Sequence, residues 1–134
     1  MAELVCVGCG PGDPELLTVK AVNAINAADT IMCPASNEDR PSIVLSIVSD
    51  IIDKSKNQEI VRLIFPMTKD KDVLEATWKK NAKIMAEKVL SGKNVVYITI
   101  GDPYLYSTWI YMHREIKANY PEMKISVVPG IVSI

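Results

Sequence analysis

The chain has 134 residues, of which 49% are hydrophobic and 23% charged, and its formal net charge is −1 at pH 7. That length suits one domain with its own core, and the composition excludes a disordered chain. The near-neutral charge provides no basic field for nucleic acid or an anionic membrane, and no apolar run approaches the roughly 20 residues of a membrane span.

The N-terminal MAELVCVG carries no positive leader ahead of its apolar residues, so no signal peptide is expected. Cys6, Cys9 and Cys33 are an odd number without a secretory context, which points to a reducing cytoplasm. Cys6 and Cys9 have the C-x-x-C spacing of a redox pair. A redox pair of that type opens a helix, whereas Cys6 lies inside an apolar run and Cys9 between two glycines. His113 is the only histidine, so no metal site is expected, and buried structural thiols are the better reading.

The first strand is LVCVG (4–8), and VGCGPGDPELLT follows from Val7 to Thr18. TVKAVNAINAAD then predicts a helix with Thr18 as N-cap, and Ala21, Ile25 and Ala28 at i, i+4 and i+7 form its apolar face. A second strand is read in TIMCP (30–34). A long second helix is read in PSIVLSIVSDIIDKSK, opened by Pro41 and Ser42, with Ile43, Ile47 and Ile51 on one side. IVRLIFP (60–66) gives the third strand. KDVLEATWKKNAKIMAEKVLSGK gives the third helix, closed by Gly92. NVVYITIG (94–101), the helix YSTWIYMHREIKANYP before Pro121, and KISVVP (124–129) complete the chain. Trp109, Met112 and Ile116 fall on one face of the fourth helix and are expected in the core, while His113 beside Arg114 is expected at the surface without a catalytic role. NEDR (37–40) and MTKDKD (67–72) read as solvated loops.

None of the five strands alternates cleanly between apolar and polar, which predicts burial on both faces, as in a parallel sheet. The β-α-β-α-β-α-β-α-β order requires crossover connections. The fold class is therefore α/β, a five-stranded, mainly parallel sheet with helices on both faces.

Ligands of such sheets sit beyond the carboxyl ends of the strands. Three loops leave those ends: GCGPGDPELLT after strand one, GDPYLYST after strand four and PGIVSI after strand five. Gly8 and Gly10 fit the start of the dinucleotide fingerprint G-x-G-x-x-G. Its third position is Asp13, whose charge would oppose a pyrophosphate, and Pro11 removes an N–H donor. No G-K-[ST] follows, so a Walker loop fails as well. Asp13–Pro14–Glu15 also reads simply as a helix start. Asp102 suits hydrogen bonds from ribose hydroxyls or an amine, and a turn explains Gly101–Asp102–Pro103 equally well.

Together and in this order, VGCGPGDPELLTVKAVNAINAAD, GDPYLYST and VVPGIVS resemble the tetrapyrrole methylase family, enzymes that methylate corrin and siroheme precursors with S-adenosyl-L-methionine. The likeness runs from strand one to strand five. YST followed by an aromatic residue is similar to the branch acting at carbon 20 of precorrin-2 or cobalt-factor II. The uroporphyrinogen branch usually has a glycine where Ile100 stands here and an acid where Pro34 stands.

The resemblance implies that Pro11, Gly101, Asp102, Leu105, Val132 and Ser133 contact S-adenosyl-L-methionine, with Ile100 contributing through its backbone. No catalytic base is named, because methyl transfer from a sulfonium needs positioning more than a strong acid or base, and no metal is expected. The expected partners are a tetrapyrrole substrate and a second copy in a cytoplasmic homodimer. The resemblance also implies a second α/β domain after PGIVS, so residues 1–134 are expected to be the N-terminal domain alone, lacking half of the site. Two other readings remain open at this point. One is a methylase of the same fold with another acceptor, such as diphthine synthase or an enzyme for another corrin position. The other is a non-enzymatic α/β module binding a nucleotide or a protein.

Overall fold

The structure, a computed structural model, describes residues 2–10, 13–35, 43–52, 55, 57–66, 68–99 and 109–130. Among the described residues there are five strands: β1 (Leu4–Gly8), β2 (Thr30–Ala35), β3 (Glu59–Ile64), β4 (Val95–Thr99) and β5 (Ile125–Val128). The described helices between them are α1 (Val19–Ala27), α2 (Ile43–Val48), α3 (Lys71–Leu90) and α4 (Trp109–Asn119). A 3-10 turn, Pro14–Leu16, precedes α1.

All strand pairs are parallel, and the order across the sheet is β3-β2-β4-β1-β5. From β1 the chain steps towards one edge through α1 and α2, then returns through α3 and α4. Crossovers of one hand put helices on opposite faces when the direction of travel reverses. The core shows that division. Leu4, Cys6, Met32, Val95 and Tyr97 pack with α3 and α4, whereas Val7, Ile31, Cys33, Val96 and Ile98 pack with α1 and α2. Neighbours in sequence thus alternate between two cores, as the two-residue period of a strand requires.

Helix ends follow local chemistry. Thr18 is the N-cap of α1, as expected, and its Oγ1 accepts from the Ala21 N–H at 3.0 Å. Asp70 caps α3 by accepting from the N–H groups of Asp72 and Val73 at 2.9 and 3.3 Å. The tract read as a solvated loop therefore contains a helix cap, and Lys71 and Asp72 are already helical. At the other end of α3, Gly92 has φ +98°, its N–H donates to Val89 and that of Lys93 to Lys88, which is a Schellman termination.

Two expectations need correction. The long second helix ends at Val48, where the Ser49 hydroxyl donates to the Ser46 carbonyl at 3.0 Å and Ile51 closes a tight turn on Val48. A side-chain hydroxyl competing for backbone carbonyls accounts for the early stop. The second correction concerns β3, which is not buried on both faces: it is an edge strand with Ile60 47% exposed. Full burial holds for β4, while β1 and β2 inside the sheet each leave one residue half-buried, Val5 and Pro34, and β5 at the other edge is half-buried except at Val128.

Candidate active-site crevice

The strand order reverses between β1 and β4. At such a reversal the connections of an open α/β sheet diverge towards opposite faces, here those of α1 and α4, which makes the carboxyl ends of β1 and β4 the candidate ligand crevice. Gly8 pairs with Thr99 at that point, and Val7 pairs with Val128 of β5 on the other side. The three loops singled out from the sequence therefore depart from adjacent strands.

The first loop is tied to the sheet at its origin. The Cys9 N–H donates to the Thr99 carbonyl at 2.7 Å, one residue beyond the last register pair. The next residue, Gly10, has φ +75°, and a Cβ there would lie 3.3 Å from the Leu16 carbonyl oxygen. Glycine meets both the left-handed backbone and the close approach. Asp13 takes the structural option: its Oδ1 accepts from the Glu15 N–H at 2.9 Å and its carbonyl accepts from Leu16, which closes the 3-10 turn. Its carboxylate is thus committed to a turn.

Cys6 and Cys9 lie in opposite cores, Cys6 with α3 and α4 and Cys9 with α1 and α2. Their separation of three residues places them on different faces of the sheet, so no redox pair forms. All three cysteines are buried thiols. Burial pushes the Cys9 thiol up to about 12, against the pull of a backbone hydrogen bond with Thr99. A thiol held neutral in this way is neither nucleophile nor metal ligand.

Trp109, the first residue of α4, is fully buried, stacked on Tyr97 at 6.1 Å and on His113 at 5.4 Å. Met112 and Ile116 are buried with it, as the helical spacing predicts. His113 is not simply a surface residue. It is half-buried against Trp109, and its pKa is lowered by that burial and then by Lys117.

The residues expected to touch S-adenosyl-L-methionine, namely Pro11, Ile100, Gly101, Asp102, Leu105, Val132 and Ser133, all lie outside the described residues, as does NEDR (37–40). What is described is the frame from which they extend: Gly10, Thr99 and Gly130 directly precede Pro11, Ile100 and Ile131. The sequence reading missed the Cys9–Thr99 tie and the contact of Gly10 with Leu16. Two glycines flanking Cys9 just past a strand were the available signal. Among the described residues no group of three or more His, Cys, Asp or Glu could hold a metal ion. Among them, too, no helix is long and apolar enough to cross a membrane.

Residues 3–134 match the family model described as Tetrapyrrole (Corrin/Porphyrin) Methylases. The chain is 36% identical over 131 residues to the cobalt-precorrin-2 C(20)-methyltransferase of Salmonella typhimurium, covering 98% of this chain and 53% of that protein. It is 43% identical over 129 residues to a Methanocaldococcus jannaschii protein named as a probable cobalt-precorrin-2 C(20)-methyltransferase, covering 96% of this chain and 52% of the relative. The crystal structure of uroporphyrin-III-C-methyltransferase from Thermus thermophilus superposes with a TM-score of 0.66 at 19% identity, covering 97% of this chain and 48% of that one. At that identity the likeness is one of fold. The chain spans about half the length of the relatives it matches.

Proposed function

Since the chain belongs to the tetrapyrrole (corrin/porphyrin) methylases, we propose that it is the N-terminal half of a methyltransferase that transfers a methyl group from S-adenosyl-L-methionine to carbon 20 of precorrin-2 or cobalt-factor II in cobalamin biosynthesis. The observation that carries this reading is the reversal of strand order between the paired strands β1 and β4, after whose carboxyl ends two of the motif segments follow in sequence. The names of the Salmonella and Methanocaldococcus relatives support the carbon-20 position.

The described rim suits such a donor. Gly8, Cys9, Gly10 and Thr99 are small and uncharged, Cys9 is held neutral, and Asp13 is engaged in its turn. Nothing in this set calls for phosphates, and the glycine backbone permits close approach of a ligand. Asp102 and the backbone of Ile100 and Gly101 would hold the donor's polar groups, with Pro11, Leu105, Val132 and Ser133 around it. The donor supplies an electrophilic methyl on a sulfonium. The ring carbon forms the new bond as the sulfur–methyl bond breaks, the electron pair stays on sulfur, and the methylated ring then releases a proton to water.

The chain's contribution is orientation, for which proximity is worth roughly 7–11 kcal/mol. No catalytic base is assigned. A second α/β domain after PGIVS would close the site, and a cytoplasmic homodimer is the working assembly. Titration calorimetry on the whole natural protein tests the assignment. Asp102→Ala should weaken S-adenosyl-homocysteine binding about tenfold or more. A near-wild-type affinity removes Asp102 from the site.

A further inference from the structure

The first turn of a helix lacks part of its backbone hydrogen bonding and is ordinarily its loosest part. In α4 that position is held from two sides. The Trp109 indole stacks on Tyr97 of β4, with planes 26° from parallel, and on His113, one turn further along α4, with planes 11° from parallel. Tyr97 is itself fully buried and meets the edge of Phe65, the residue after β3, at 6.5 Å. Phe65, Tyr97, Trp109 and His113 thus form one column of rings across three elements.

Packing alone does not call for an indole here. Met112 and Ile116 are as completely buried on the same face of α4, and flexible or branched side chains serve there. A flat ring between two others accepts few orientations, so the stack fixes where the helix begins as well as filling space.

β4 sets both ends of the stretch that leads from it to α4. At one end Thr99 pairs with Gly8, and its carbonyl is tied to the Cys9 N–H. At the other end Tyr97, two residues earlier on the same strand, holds Trp109. Residues 100–108 connect these two points in sequence, and they include Ile100, Gly101, Asp102 and Leu105 of the proposed donor site. We infer that Trp109 is a positioning residue of that site: held between Tyr97 and His113, it fixes the start of α4 against β4 and so the distance that residues 100–108 span. It acts through those residues and not on the methyl group. A displacement of about 1 Å in such a frame can cost on the order of a hundredfold in rate.

The inference rests on the donor reading above and not on which ring carbon is methylated. The test is titration calorimetry of the whole natural protein with S-adenosyl-homocysteine, with a urea midpoint measured on each preparation. Trp109→Leu should weaken binding about tenfold or more, whereas Trp109→Phe, which keeps a ring between Tyr97 and His113, should stay within about threefold of wild type. Ile116→Ala, in the same helix and core but about two turns away, should lower the urea midpoint and leave the affinity unchanged. The half-buried His113 offers a second pair that spares the core. His113→Ala should weaken binding about threefold and His113→Phe should not, and this pair decides the matter if Trp109→Leu does not fold. Unchanged affinity in Trp109→Leu overturns the proposal, as does unchanged affinity in His113→Ala where Trp109→Leu does not fold. A loss in Ile116→Ala equal to that in Trp109→Leu overturns it too. Wild-type protein that does not bind S-adenosyl-homocysteine rejects the donor reading and this role with it, whereas equal binding by wild type and Trp109→Leu rejects the role alone.

Discussion

Cys9 shows how one residue separates a motif from its appearance. Read as sequence it is half of C-x-x-C, and in the fold it is a buried thiol whose backbone joins the first loop to β4. Its titration gives a signed prediction. Burial raises the group from its ordinary 9.0 to about 12, so over that interval the folded state keeps a proton that the unfolded chain releases. Stability should fall as pH rises through the window, by up to about 1.4 kcal/mol per unit from this group, with no contribution below it. Urea unfolding of wild type and Cys9→Ala from pH 8 to 11 checks this. Equal pH slopes would remove the effect. The side of the sheet each thiol faces was readable from the two-residue period of β1. The hydrogen bond to Thr99 was not, because it depends on which strand lies beside β1.

At the scale of elements, strands were more legible than helix ends. β1 falls where its apolar run predicts, and β2, β3 and β5 differ from their predicted bounds by a residue or two. α2 is much shorter than its isoleucine spacing suggested, since periodicity records which residues would face a core and not whether the backbone carries them there. The position of β3 at an edge was hidden for a related reason: IVRLIFP is as apolar as an interior strand. Burial there depends on α3, and a buried polar contact attaches the two elements. Asn81, only 2% exposed, donates from Nδ2 to the Ile64 carbonyl at 3.0 Å. Asn81→Ala should cost about 1–3 kcal/mol, seen as a lower urea midpoint with an unchanged slope. The Lys88–Glu59 ion pair joins the same two elements at 2.6 Å, but it lies at the surface, and its loss should cost under about 1 kcal/mol. A larger loss for Lys88→Ala than for Asn81→Ala would invert this ranking.

For the whole molecule, the fold class and the convergence of three loops followed from the order of elements, since a parallel sheet places every β-to-α loop at one end. The neighbours of each strand did not follow. The β3-β2-β4-β1-β5 order places the first strand between two of the last to be made. β1 pairs with β4 from Leu4↔Val95 onward and with β5 from Leu4↔Ile125, and among the described residues with no other strand. During synthesis it therefore waits unpaired while β2, α2, β3 and α3 emerge, and contacts so distant in sequence make folding slow. Ribosome-bound chains halted before Val95 has left the tunnel should be cut by protease within residues 4–8, and chains extended past Val128 should resist. Early protection of β1 would contradict that order. The same central place gives β1 a role in timing: its carboxyl end can form a crevice wall only after β4 has docked beside it, so the ligand site and the completed sheet arise in one event.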